Sequence, residues 1–307
     1  MRVAPIVLCG GVGRRLFPFS SCNLPKQFII FFKDGESFFQ KTIRRIRKIF
    51  PTQQIIIVAN KINQNLVKQQ LKDIGEGNVL VLFECYNKNT FLSLVVAMMV
   101  IDDDCDLISV FPSDHFILDE KNFRQDVLSA LEISTQKKKH ILFGIKPTKP
   151  DDNYGYIQIG ENEYVDGMGN IFFKIKSFIE KPSKGVAKTK IQSDRYYWNS
   201  GIFVFNNKQL TKDVVYQNKI SGIKENIFIK KDDIFLESVA KNLPELPEIS
   251  IDEAIIENNK ELLCKKAQFD WKDIGNFTSL HELMEKKYII FSILAYITQC
   301  DKYSINS

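Results

Sequence analysis

No two of the six cysteines (Cys9, Cys22, Cys85, Cys105, Cys264, Cys300) form a C-x-x-C pair. With no signal-peptide pattern at the N-terminus, that spacing points to a reduced, cytoplasmic setting. Histidine is scarcer still. His115, His140 and His281 are scattered along the chain, giving no zinc-ligand spacing and no recognisable Ser/His/Asp arrangement. Charge of one sign is not in large excess. A formal net charge of +5 over 307 residues admits an anionic ligand without calling for nucleic acid. The one strongly apolar run, "YIIFSILAYI" at 288 to 297, is too short to span a bilayer. Internal repeats and low-complexity linkers are missing as well. The basic runs "RRIRK" at 44 to 48 and "KKK" at 137 to 139 are read as helix faces or loops in water.

What is present is an apolar content of 44%, ample for a real core, and a rhythm of strands and helices. "APIVLC", "QQIIIVAN", "NVLVLFE" and "DLISVF" read as buried strands. Between them, "ESFFQKTIRRIRKIF", "INQNLVKQQLKDIG" and "NTFLSLVVAMMVID" have helical spacing, the last with Asn89 or Thr90 near its cap. Alternation of this kind predicts a Rossmann-like, doubly wound, mostly parallel sheet, with ligands beyond the carboxyl ends of its strands. From about residue 150 the segments "YGYIQIG", "IFFKIKSFIEKPS" and "WNSGIFVFN" read as shorter strands of an added β-rich lobe. "ISIDEAIIENNKELL" reads as a further helix, with Ser250 and Glu253 at capping-box spacing.

The first strand runs into "GGVGRRLFPFSSCNLPKQF". Glycines let the backbone approach a ligand closely and point successive N–H groups at it. A dinucleotide fingerprint would require glycine where Leu16 stands, and no P-loop begins at Gly10 or Gly11. Pro18 and Pro25 oppose a long helix between them. The segment therefore reads as an extended loop carrying Arg14, Arg15 and Lys26, either a phosphate cradle or a glycine turn with solvated cations.

Other constellations admit two readings each. Asp114 in "FPSDHF" and Asp273 in "FDWKDIGNF" are metal-binding carboxylates or turn and cap residues. Glu180 and Lys181 in "FIEKP" bind sugar hydroxyls and a phosphate, or form an exposed pair before a proline turn. Asn199 in "YYWNSGIF" contacts a polyol or sits in a β-turn. Gly155 in "YGYI" presents an amide to a ligand or merely starts a strand.

The order of these motifs, from "LCGGVGRRLFPFSSCNLPKQF" through "FPSDHFI", "FGIKPTKPDDNYGYI", "FIEKPS", "YYWNSGIFVF" and "SIDEAIIE" to "FDWKDIGNFTSL", resembles the sugar-phosphate nucleotidyltransferases over about residues 3 to 285. "PKQF" and "WNSG" favour the mannose-1-phosphate guanylyltransferase branch. The resemblance implies a nucleotide-diphospho-sugar transferase fold and transfer of GMP from GTP to mannose 1-phosphate, giving GDP-mannose and pyrophosphate. It places Gly10, Gly11, Gly13, Asn89 and Thr90 on the nucleotide, and Arg15 and Lys26 at the reacting phosphates. Mg²⁺ falls to Asp114 and Asp273; Gly155, Glu180, Lys181 and Asn199 fall to the sugar phosphate.

The sequence departs from the family pattern in lacking a basic residue shortly before "PKQ", and in Phe91 and Leu92, where small residues are usual. The nucleotidyltransferase domain is expected at 1–285. An atypical tail at 286–307 shows no isomerase metal ligands; it is a candidate for packing on the domain, for a homo-oligomer contact, or for an exposed apolar hazard. The alternatives are a same-fold enzyme using another nucleotide or hexose 1-phosphate, and a non-catalytic remnant that binds nucleotide and sugar phosphate.

Overall fold

A computed structural model of the chain describes residues 1–11, 16, 17, 19–84, 89–218, 248–286, 288 and 289. Its frame is a nine-stranded sheet in the order β3-β2-β1-β4-β9-β6-β10-β8-β7. The first four of these, β1 (Val3–Cys9), β2 (Ile55–Asn60), β3 (Val79–Glu84) and β4 (Leu107–Pro112), are mutually parallel. Parallel neighbours need crossovers. These are α1 (Phe38–Ile49), α2 (Gln64–Asp73) and α3 (Asn89–Met98). The order 3-2-1-4 is that of a doubly wound half-sheet.

Both faces of these strands are buried. Val7, Ile55 and Ile57 pack with Phe39 and Ile43 of α1 and Val67 of α2. Their neighbours Ile6, Ile56 and Val58 pack with Leu94 and Val95 of α3. That explains why the strands read as continuous apolar runs rather than as alternating ones. α1 begins in a complete capping box, Ser37 accepting from the Gln40 amide while the Gln40 side chain accepts from the Ser37 amide.

The second half departs from the parallel pattern. β9 (Tyr196–Asn206) runs antiparallel to both β4 and β6 (His140–Ile145), and β7 (Tyr156–Val165) with β8 (Ile171–Ile179) forms a long hairpin that closes on β9 and β10 (Leu262–Lys266). A small ladder of β5 (His115–Ile117) and β11 (Trp271–Asp273) stands apart. The remaining helices are α4 (Glu120–Lys137), α5 (Lys184–Lys190), α6 (Asn207–Asn218) and α7 (Phe277–Glu285), the last opened by Asn276 as its N-cap.

Two readings of the sequence are corrected. The helix expected over "ISIDEAIIENNKELL" is a short π-helical turn, Asp252–Ile256, and its last residues instead begin β10. Ser250 and Glu253 do form the expected reciprocal bonds, so the cap is real although the helix it opens is brief. The basic run at 44 to 48 is not simply solvated. Arg45 is buried, its guanidinium over the Phe123 ring and its Nε 3.7 Å from Glu120, and burial lowers its pKa to about 10. Arg47 ties Glu76 to the carbonyls of Phe50, Gln53 and Asn78. Among the described residues no helix is long and apolar enough to cross a membrane. The tail expected at 286–307 lies outside the described residues except for Lys286, Tyr288 and Ile289.

Candidate functional site

The parallel strands end at a common edge. There the chain after β1 and the turn after β4 meet, as the sheet topology requires of a ligand site. Gly10 and Gly11 follow β1, and Gln27 braces them by donating to the carbonyl oxygens of Gly11 (2.8 Å) and Cys9 (3.4 Å). Gly13 and Arg15 lie outside the described residues. A cavity of about 310 Å³ opens at this edge, bordered by Gly10, Gly11, Glu84, Thr90, Asp114 and Asp252 among others. Asn89 opens α3 with φ of 64°, a left-handed geometry that asparagine tolerates better than most residues; its Oδ1 accepts from the Thr90 amide. The Thr90 hydroxyl in turn accepts from the Ile251 amide at 3.0 Å, tying α3 to the π-helical turn.

Beside the cavity sits an ion cluster. Lys26, almost wholly buried, places Nζ 2.7 Å from Asp114, 3.0 Å from Asp273 and 2.9 Å from the Ile274 carbonyl oxygen. These three acceptors use all three donors of the ammonium. Burial alone would lower the Lys26 pKa, but Asp114 and Asp273 more than offset it and the net direction is up. Asp114 answers in kind: burial pushes its carboxyl up, Lys26 and His115 pull it down, and down prevails. Asp114 and Asp273, whichever of the two readings applies to them, are held side by side by Lys26. They reach it from the turn after β4 and from the end of β11, brought together by the register Asp273 opposite His115. Their side chains are 30% exposed, so solvent-borne ligands reach them. Among the described residues no cluster of three or more His, Cys, Asp or Glu side chains could hold a metal ion by itself.

A second polar cluster gathers the residues from β7, β8 and β9. Asn199 donates through its backbone amide to the Gly155 carbonyl (2.8 Å) and through its side chain to Asp252 (2.5 Å). Lys181, at φ of 40°, folds back to donate to Glu180 (2.5 Å). Gly155 leaves room for Glu180: a Cβ there would stand 2.8 Å from Glu180 Oε2 and 2.6 Å from Phe178. Thus all four residues assigned to the sugar phosphate are brought together, and Asp252 joins them. Reading the sequence missed Asp252, because "SIDE" is legible there only as a cap. Burial and the Glu180 charge push the Asp252 carboxyl up to about 7. Glu84 was missed too; burial pushes it up to about 7 against the pull of the Ser93 hydroxyl.

Comparison with known proteins follows the same lines. Residues 4–288 match the nucleotidyl transferase family. A mannose-1-phosphate guanylyltransferase of Escherichia coli is 30% identical over 298 residues, covering 92% of this chain and 61% of that protein. One from Salmonella muenchen is 32% identical over 301 residues, covering 93% and 60% respectively. The chain therefore spans about three-fifths of the length of these relatives. A crystal structure from Thermus thermophilus, described as a mannose-1-phosphate geranyltransferase, superposes with a TM-score of 0.79 at 23% identity, covering 92% of this chain and 79% of that one. At that identity the likeness speaks for the fold.

Proposed function

Since this chain belongs to the nucleotidyl transferase family, we propose that it transfers a nucleoside monophosphate from a triphosphate donor to a hexose 1-phosphate. GTP and mannose 1-phosphate are the proposed pair, supported by the names of the relatives and by the order of motifs in the sequence. The observation that carries the reading is the position of Lys26. It clamps Asp114, at the nucleotide cavity, to Asp273.

The chemistry asks for such a centre. An oxygen of the sugar phosphate attacks the α-phosphorus of the donor, the new P–O bond forms as the α–β bridge breaks, and pyrophosphate departs with the bridging oxygen. Two anions must approach, so cations matter more than a strong base. A unit-charge pair at 4 Å is worth about 4 kcal/mol at an effective dielectric of 20. Mg²⁺ is the metal this reading implies, and Asp114 and Asp273 are the residues that would hold it: both are partly exposed, they neighbour one another across Lys26, and as a pair they leave one negative charge beyond what that ammonium balances. When bound, it supplies charge neutralisation on the phosphates. Gly10 and Gly11 let the phosphates approach the backbone. Glu180 and Asn199 hold sugar hydroxyls, and Lys181 reaches the sugar's phosphate by releasing Glu180.

Magnesium-dependent product formation from a panel of triphosphates and hexose 1-phosphates tests this. GDP-mannose with pyrophosphate is the expected product pair, and Asp114→Ala or Lys26→Ala is expected to cut turnover by roughly a hundredfold or more. A different sugar nucleotide would move the reading within the family. Folded protein that binds both substrates without turnover would make this a binding module.

A further inference from the structure

Four aromatic rings form a row behind the two polar clusters. His115 and Trp271 meet edge to face with ring centroids 5.2 Å apart, and Trp271 donates through Nε1 to His115 Nδ1 at 3.1 Å. Trp271 in turn meets Tyr154 at 5.3 Å, and Tyr154 meets Trp198 at 5.0 Å. The Tyr154 hydroxyl makes a long hydrogen bond, 3.5 Å, to the carbonyl oxygen of Asp273. Each ring neighbours in the chain a residue of one cluster or the other. His115 follows Asp114, Trp271 lies two residues before Asp273, Tyr154 precedes Gly155, and Trp198 precedes Asn199. Successive residues of a strand point to opposite faces, so Trp198 turns away from the cluster that Asn199 joins.

Among the described residues no strand pairing joins the ladder of β5 and β11 to the nine-stranded sheet. Its placement against the Gly155, Glu180 and Asn199 cluster therefore rests on the short turn from β4 and on side-chain packing. The row spans that gap. His115 and Trp271 belong to the ladder, Trp198 to β9, and Tyr154 stands between them just before β7. Resting on the nucleotidyl transfer reading, we propose that this row couples the hexose-phosphate cluster to the carboxylate pair Asp114 and Asp273, with Tyr154 as the positioning residue at its middle. In-line attack requires the acceptor phosphate to be held accurately against the donor, and a misplacement of about 1 Å arising far from the chemistry costs about 100-fold. Coupling between sites is carried by contiguous packed side chains, and here every link is a contact between rings in geometries that aromatic pairs prefer. Tyr154 touches both tryptophans, so removing its ring breaks the row at one point. Tyr154, Trp198 and Trp271 also border a cavity of about 590 Å³. Trimming Tyr154 widens an open space rather than hollowing the core, and the variant is expected to fold.

Trp198 and Trp271 are the chain's only tryptophans, so tryptophan emission reports on the row. Trp198→Phe leaves Trp271, at the carboxylate end, as the sole reporter. The Trp198 indole N–H has no hydrogen-bond partner among the described residues, so phenylalanine gives none up. The probe is mannose 1-phosphate, which neither absorbs nor emits in this range, titrated into the full chain with Mg²⁺ and α,β-methylene GTP, a donor analogue whose α–β bridge does not break. Calorimetry follows binding in parallel. In Trp198→Phe the Trp271 emission is expected to change with the calorimetric midpoint. Adding Tyr154→Leu is expected to abolish that change while the sugar phosphate still binds within about threefold of the same affinity; adding Tyr154→Phe instead, which keeps the ring, is expected to preserve it. In turnover with GTP, Tyr154→Leu alone is expected to lower kcat by about 10- to 100-fold with the mannose 1-phosphate KM changed less than about threefold, and Tyr154→Phe to restore kcat. Trp271 emission that ignores bound mannose 1-phosphate, or a response or a kcat that survives in Tyr154→Leu, would overturn the coupling and leave nucleotidyl transfer standing. Folded wild-type protein that binds no mannose 1-phosphate under these conditions would overturn both the coupling and the proposed substrate pair.

Discussion

Gly155 shows how a single missing Cβ makes room for its neighbours. Its neighbours Phe178 and Glu180 occupy the volume a side chain would need, so Gly155→Ala forces Glu180 away from the cluster it shares with Asn199 and Asp252. Overpacking of this kind costs about 1–3 kcal/mol, which the whole fold can absorb. If the proposed transfer is the chain's activity, the expected result is a KM for the hexose phosphate raised about tenfold or more, with nucleotide binding unchanged, in steady-state kinetics paired with nucleotide calorimetry. Unchanged KM would remove Glu180 from the sugar site. Lys26 illustrates the limit of reading residues singly. Its basic type was legible beside the glycine loop, yet its partners, Asp114 and Asp273, come from distant points in the chain, and no local pattern announces that a lysine will be saturated by two carboxylates and a carbonyl.

At the scale of elements, the first half was legible because its strands are short apolar runs buried on both faces while α1 and α2 alternate apolar and polar residues; α3, buried at every position from Phe91 to Ala97, was legible from its length and its cap rather than from period. The second half was harder. β10 reads "LLCKK", and its Lys265 is buried against Asp126 of α4 at 3.0 Å; a charged residue inside a sheet is invisible to periodicity because its partner lies on a helix far along the chain. β9 hides a different feature. Its register with β6 passes from Phe203 opposite Leu142 to Asn199 opposite Gly144, so a bulge falls across Ser200 to Ile202, and Gly201 within it has φ of 69°. Bulges re-aim side chains beside ligand sites, and this one delivers Asn199 to Gly155 and Asp252. A Cβ at Gly201 meets nothing closer than Pro112 at 3.5 Å, so the cost of Gly201→Ala lies in the backbone. A destabilisation of about 1–2 kcal/mol is expected from the left-handed geometry, read from urea midpoints, and, on the proposed function, weaker hexose-phosphate binding. A variant as stable as wild type would mean that the bulge relaxes freely.

For the whole molecule, binding and stability pull in opposite directions at one place. Glu84 and Asp252 border the same cavity, and burial holds both carboxyls at about 7, whereas in the unfolded chain they ionise near 4. Between those values the folded chain holds protons that the unfolded chain has released. Stability therefore falls as pH rises through 7 and is recovered on acidification. From pH 8 to 6.5 the gain is about 1 kcal/mol for each group. His115 acts the other way, since burial lowers its pKa, but at pH 6.5, where the unfolded imidazole is half protonated, it costs only about 0.4 kcal/mol, less than the two carboxyls together contribute. The buried thiols of Cys9 and Cys264, pushed up to about 12, add a loss of the same sign as the carboxylates, above about pH 8.5. The urea midpoint is therefore expected to rise as pH is lowered from 8 to 6.5, and to do so much less in a Glu84→Gln, Asp252→Asn double variant. If the wild-type midpoint were flat or fell over that range, the two carboxyls would already be ionised in the free protein, and the cavity would meet its ligands fully charged rather than becoming so as they bind.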